Sequence, residues 1–136
     1  MNTAARRPFL RRSGSVAALL MVLALPACDS GPRGPGTLTT RVTAPQPVGA
    51  VVLEVVGAGI TGFEGQGAVR VFGALDSGGS GKHRVVVLSP TGGTEIRFGI
   101  TFADRSGTMP TITAVSAATP ANASVSTAGI RVRVER

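Results

Sequence analysis

Thr94-Glu95-Ile96-Arg97-Phe98-Gly99-Ile100-Thr101-Phe102 alternates apolar and non-apolar residues through nearly its whole length. Ile96, Phe98, Ile100 and Phe102 share one parity, and Glu95, Arg97, Gly99 and Thr101 share the other. Successive side chains of a strand point to opposite faces, so apolar residues at every second position mark a strand with one buried face. The end of the chain repeats the pattern, with Ile130, Val132 and Val134 inward and Arg131, Arg133 and Glu135 outward. Residues 50–56 and 84–88 are denser in Val and Leu, as expected of central strands covered on both faces. Residues 38–43, 69–75 and 111–116 complete a set of seven strands.

Turn-forming stretches separate these runs: residues 44–47 (Ala-Pro-Gln-Pro), 62–67, 76–81, 89–93 and 104–107. Strand and turn alternate about every dozen residues, the spacing of a β-sandwich. No window from residue 37 onward offers three clean helical turns with caps. The expected fold is therefore all-β, a single immunoglobulin-like β-sandwich of about seven strands over residues 37–136, with a partly open barrel as the second arrangement. The Gly- and Val-rich opening and the Ile96-Arg97-Phe98-Gly99-Ile100-Thr101-Phe102 strand resemble cohesin-type sandwiches, which implies the same two layers.

The chain of 136 residues has room for one domain, and its composition suits strands: 19 Gly, many Val and Thr, no Trp, no Tyr and five Phe. The formal charge of +7 suggests nucleic acid only until it is located. Arg6, Arg7, Arg11 and Arg12 precede residue 28 with no acid among them, leaving ten basic and seven acidic residues from Asp29 on, or +3. Those ten are scattered singly among Asp and Glu, without the basic stripe and interleaved aromatics of a nucleic-acid groove. No nucleic-acid partner is expected.

Residues 1–27 have the order of an export signal: a basic stretch to Arg12, an apolar run over 16–25, and a small residue before Cys28. The apolar run is half of the about 20 residues that a membrane-crossing helix needs. Leu25-Pro26-Ala27-Cys28 resembles a lipobox, with Pro26 where Ala, Ser or Thr is commoner. The resemblance implies a diacylglyceryl group on the Cys28 thiol, cleavage between Ala27 and Cys28, and acylation of the new amino terminus. Two or three acyl chains anchor durably where one does not. Ala5-Arg6-Arg7-Pro8-Phe9-Leu10-Arg11 is similar to the twin-arginine export motif at Arg6, Arg7, Phe9 and Leu10; Ala5 and Arg11 differ from it. Export by that route or by the general secretory route stays open. Residues 28–36, rich in Gly and Pro, are expected to form a flexible tether after the lipidated Cys. Asp29 resembles the inner-membrane retention signal of some lipoproteins, favouring the periplasmic face of the inner membrane over the outer membrane. With Cys28 the only Cys, no disulfide can form within the chain.

Several motifs in the domain fall short of a chemistry. Gly57-Ala58-Gly59-Ile60-Thr61-Gly62 matches a dinucleotide fingerprint, with Asp76 at 19 residues from Gly57. That chemistry needs a helix starting at the third Gly, and Phe63-Glu64-Gly65-Gln66-Gly67 follows instead, so no nucleotide is expected. Gly78-Gly79-Ser80-Gly81-Lys82-His83 lacks both the first Gly and the last Ser or Thr of a P-loop; Lys82, His83 and Arg84 remain as candidate anion contacts on the rim of a hairpin loop. His83, the only His, cannot build a His-rich zinc site, and Asp76 with Ser77 and Ser80 lacks the acids of a calcium loop. No metal and no cofactor is expected. No G-x-S-x-G elbow marks Ser77, Ser80 or Ser89 as a nucleophile, and Glu54, Glu64, Asp76, Glu95 and Asp104 show no pairing in the sequence. Without Trp or Tyr there is no stacking platform for sugars. Arg131 and Arg133, with Arg97 if those strands pair, form a charged face suited to an anionic polymer or to keeping a terminal strand from recruiting other chains.

These residues point to a membrane-anchored lipoprotein that acts as a non-catalytic binding or assembly module for an envelope protein or polymer. The second reading is a small exported hydrolase or ligand carrier using the His83 loop.

Overall fold

The computed structural model describes residues 31–136. The export and lipidation residues, Arg6, Arg7, Phe9, Leu10, Leu25, Ala27 and Cys28, lie outside them. The fold is all-β and sandwich-like, with seven strands: β1 Gly36–Val56, β2 Ile60–Gly65, β3 Arg70–Ala74, β4 Lys82–Phe102, β5 Thr111–Ala118, β6 Ser124–Val125 and β7 Arg131–Val134. A 3-10 turn, Thr127–Gly129, leads into β7.

Two strands of 21 residues, β1 and β4, organise everything else. They run antiparallel from Gly36 opposite Phe102 to Val56 opposite Lys82. Beside the half that starts at Gly36, β2 pairs with β4 and β7 with β1. Beside the other half, β3 pairs with β4 and β5 with β1, and β6 extends the sheet from β5. One buried cluster draws Leu38, Val42, Ile96, Phe98 and Ile100 from the first half and Val51, Leu53, Val55, Val85 and Val87 from the second. β2 touches β3 and β5 touches β7 across the two halves. The long ribbon therefore folds back on itself and makes two layers around one core.

The fold-back lies where the β1–β4 register breaks, between Thr43 and Ala50. Inward residues of β1 are even-numbered up to Ala44 and odd-numbered from Val51; those of β4 are odd-numbered to Ser89 and even-numbered from Ile96. A change of parity within one strand requires an extra residue, and such a bulge also bends the strand. Pro45 and Pro47 sit exposed in the unpaired break, where no ladder N–H is needed.

The seven strands differ in extent from the sequence expectation. Residues 38–43 and 50–56 belong to one strand, as do 84–88 and 94–102, so the stretches 44–47 and 89–93 bend the chain without reversing it. The Gly-rich stretch taken for a turn over 62–67 contains most of β2, and β6 is additional. Of the segment read as a free tether, the end is tied down. Arg105 N–H donates to the Gly34 carbonyl at 2.9 Å, Arg105 Nη2 donates to the Arg33 carbonyl at 2.9 Å, and Gly34 N–H donates to Asp104 Oδ1 at 3.0 Å.

One core position is suboptimal. Thr40 is fully buried, and its Oγ1 has no hydrogen-bond partner among the described residues. A desolvated hydroxyl without a partner costs about 1–3 kcal/mol. Thr40→Val is expected to stabilise the protein by about 1 kcal/mol and raise Tm by about 4–8 °C. A calorimetric scan showing a lower Tm would refute the assignment of that hydroxyl as unpaired.

Candidate interaction surface

The two layers present different outer faces. On the first, β1 contributes Thr37, Thr39, Arg41 and Thr43, β4 contributes Glu95, Arg97 and Thr101, and β7 contributes Arg131 and Arg133. The threonines are knitted together: the Thr37 and Thr101 hydroxyls lie 3.0 Å apart, and Gln66 Nε2 donates to Thr39 Oγ1 at 3.2 Å. Arg41 reaches Glu135 at 2.7 Å and Glu95 at 3.4 Å, and Arg97 reaches Glu95 at 2.8 Å. These exposed pairs contribute little to stability. Arg133 and Arg97 do share a cross-strand row, but their strands do not pair; β1 lies between them, with Arg41 opposite both. Glu95 and Glu135, two residues along from Arg97 and Arg133, stand beside this row of arginines and pair with Arg41 and Arg97, which partly balances its charge.

On the second outer face the register aligns Phe72, Val86, Val52 and Ser116 across β3, β4, β1 and β5. Phe72 is 61% exposed, and Val115, pushed out by the β5 register shift opposite Val52 and Leu53, is 44% exposed. Leu88 and Ala50 lie in the next row, where Arg70 of β3 stands opposite Leu88, and Leu75, just after β3, is 48% exposed. A shallow groove on this side is lined by Phe63, Phe72, Gly73, Leu75, Arg84 and Val86. Gly73 among these residues allows close packing: a Cβ there would overlap the Phe63 ring. On the other side of the Phe72 row, the next row carries Arg84 and Glu54, 3.6 Å apart, and Lys82, one row further along, lies 3.5 Å from Glu54.

The expectation that residues 50–56 and 84–88 are covered on both faces is thus corrected. These segments are central because strands flank them on both edges, while the side chains of Val52, Val86 and Leu88 face out, half-buried. Their apolar density was visible in the sequence; which half of it lacks a cover was not.

The loop before β4 is built for shape. Asp76 accepts from the Ser80 hydroxyl at 2.6 Å and from the Gly78 N–H at 2.8 Å, and these bonds, the hydroxyl first, pull its carboxyl from an ordinary 3.8 to about 2. His83 points the other way, into the protein, 5% exposed. Its Nδ1 accepts the Asp76 N–H at 2.9 Å, and its ring meets Phe63 edge-on at 5.9 Å between centroids. The candidate anion contacts therefore do not converge: Lys82 and Arg84 face out around Glu54 and His83 faces in, because neighbours on a strand point to opposite sides.

At the dinucleotide-like stretch, Gly57 N–H donates to the Gly81 carbonyl at 2.9 Å and the chain passes directly into β2 at Ile60, where the fingerprint requires a helix. No group of three or more His, Cys, Asp or Glu placed to hold a metal occurs among the described residues. No protein-family model, no curated protein and no solved structure matches this chain, so the surface itself is what bears on function.

Proposed function

We propose that the chain is a lipoprotein of the cell envelope, held by acyl chains on Cys28 at the periplasmic face of the inner membrane, and that it works as a non-catalytic binding module for another envelope protein. The observation that carries the binding reading is the apolar row of Phe72, Val86 and Val52 on one outer face, opposite an outer face of threonines and ion pairs. A large aromatic held exposed on a rigid sheet among aliphatic neighbours is the kind of anchor on which protein interfaces concentrate their energy. The ion pair of Glu54 with Lys82 and Arg84 at its margin gives a partner polar contacts of both signs. The anchoring reading is supported by the lipobox-like Leu25-Pro26-Ala27-Cys28 alone.

Cys28→Ser should move the protein out of the membrane fraction, and continued dependence on detergent would defeat the anchoring reading. For the surface, a photo-crosslinker placed at Val115 should capture one envelope protein, and the same group at Thr101 on the other face should not. Phe72→Glu should weaken that capture by about 10–100-fold, the cost of losing a buried Phe side chain from an interface. Capture of a second copy of this chain, or equal capture from both faces, would overturn the reading.

A further inference from the structure

We propose that the free edge of β3 receives an extended segment of the partner protein, which adds a strand beside Phe72 and sets an acidic side chain against Arg70; this rests on the binding reading above and deepens it. β2 and β3 are the last strands of their layers on one side of the sandwich, and each pairs only with β4. Two shallow depressions flank β3, one reaching Phe63 and Leu75 and the other Gly65 and Val69, and they share Val71 and Phe72. Arg70, Phe72, Gly73 and Ala74 are exposed, so the edge is open to another chain.

An open strand edge offers unpaired N–H and C=O groups, and proteins blunt such edges with charge, bulges or very short strands. The other edges here are blunted. β7 carries Arg131 and Arg133 within four residues, β6 is two residues long, β2 has a register shift between Ile60 and Gly62, and β5, beyond the reach of β6, bulges at Val115. β3 has none of these devices. Its pairing runs in unbroken register from Arg70 opposite Leu88 to Ala74 opposite Arg84, and its one charge stands at its first residue. A strand added there would lengthen the row of Phe72, Val86 and Val52 by one side chain, with main-chain hydrogen bonds giving affinity and that side chain giving selectivity.

Arg70 points to what the incoming segment carries. It has no hydrogen bond or ion pair among the described residues, whose acids are all engaged elsewhere: Glu54 with Lys82 and Arg84, Glu64 with Thr101, Glu95 and Glu135 with Arg41, and Asp76 and Asp104 with hydroxyls and amides of their own turns. Asp29 precedes the described residues at the end where β1 starts, whereas Arg70 stands at the opposite end, beside the bend. Arg70 and Phe72 are two residues apart on one face, so an antiparallel strand answers them with an acid two residues after an apolar side chain. β3 has no acid of its own, and pairing with a second copy would leave both Arg70 side chains unmatched. The occupant is thus a segment of a different protein, extended, apolar at alternate positions and acidic toward its C-terminal end.

The test uses the protein purified as its host makes it and the synthetic peptide acetyl-Thr-Val-Thr-Ile-Thr-Asp-Thr-amide, which sets Ile beside Phe72 and Asp beside Arg70. At about ten times the half-saturating concentration, alternate amides of β3 should exchange hydrogen about tenfold more slowly, because only the N–H groups that point away from β4 gain a partner. A peptide methylated at every backbone nitrogen keeps its side chains but cannot pair, and should bind at least about tenfold more weakly. Lys in place of the peptide's Asp should weaken binding by about two- to fivefold, and Arg70→Glu should reverse that preference. Equal binding of the methylated and unmethylated peptides, no alternating protection in β3, or an unchanged preference in Arg70→Glu overturns the proposal. Capture at Val115 tests the binding reading separately. Should it persist undiminished in Arg70→Glu, the face binds without the edge, and the proposal fails while the reading stands. Should Val115 capture nothing even in the parent protein, the reading falls, and the peptide alone decides the edge.

Discussion

Phe98→Ala is expected to cost about 3–5 kcal/mol, enough to leave the protein largely unfolded under mild denaturing conditions. Phe98 is the largest fully buried side chain among the described residues. It sits on β4 opposite Thr40 of β1 on one side and Gly65 of β2 on the other, in the cluster that joins the two halves of the ribbon. Truncation there leaves a cavity bordered by neighbours that three strands hold in place, so collapse cannot fill it. Urea titration followed by circular dichroism should show the midpoint fall by about 1.5–3 M, given a slope typical of a domain of this size. Phe72→Ala is the matched control: the same deletion at a side chain 61% exposed should change stability by no more than about 0.5 kcal/mol. Equal losses at the two positions would mean that the two layers do not share one core.

The contrast between these phenylalanines also shows what the sequence could disclose. The period-two pattern around Phe98 is a local property of a strand with one wet face, and it survives intact in β4. Phe72 lies in an equally plain strand, but whether its side has a cover depends on which strands pair and where the ribbon folds, and neither is local. Gly and Pro at residues 44–47 and 89–93 signal departure from regular strand, and the signal is the same whether the chain reverses or bends. The parity change from Ala44 to Val51 is present in the sequence, yet a turn would reset parity too. The Gly-rich stretch around Phe63 hid β2 because glycine has weak strand propensity; its glycines serve close approach instead, since a Cβ at Gly65 would run into the Val69 carbonyl oxygen. His83 stood out as the sole His, but its partners, the Asp76 N–H and the Phe63 ring, become neighbours only through the pairing of β2 and β3 with β4.

The bend depends on glycines that leave room for a proline. Gly92 has φ +68°, in the left-handed region, and a Cβ there would overlap Pro120 Cγ and lie 3.3 Å from its Cδ. Gly49, across the same bend, would place a Cβ 2.8 Å from Pro120 Cα and 2.9 Å from its nitrogen. Pro120 follows β5 in the chain, so a residue far from either bend in sequence wedges against both long strands where they fold back. Gly92→Ala should cost about 1–2 kcal/mol for the left-handed backbone and about 1–3 kcal/mol for displacing the packed ring. Adding Pro120→Ala removes the ring and should return the second share while leaving the first, so the double mutant is expected to be more stable than Gly92→Ala alone. Gly92→Asn, with a residue that tolerates the left-handed region, should lose mainly the steric share. The three variants separate backbone strain from the wedge by thermal unfolding. If removing the Pro120 ring rescues nothing, the fold-back is held by the core alone, and the glycines at the bend record only its curvature.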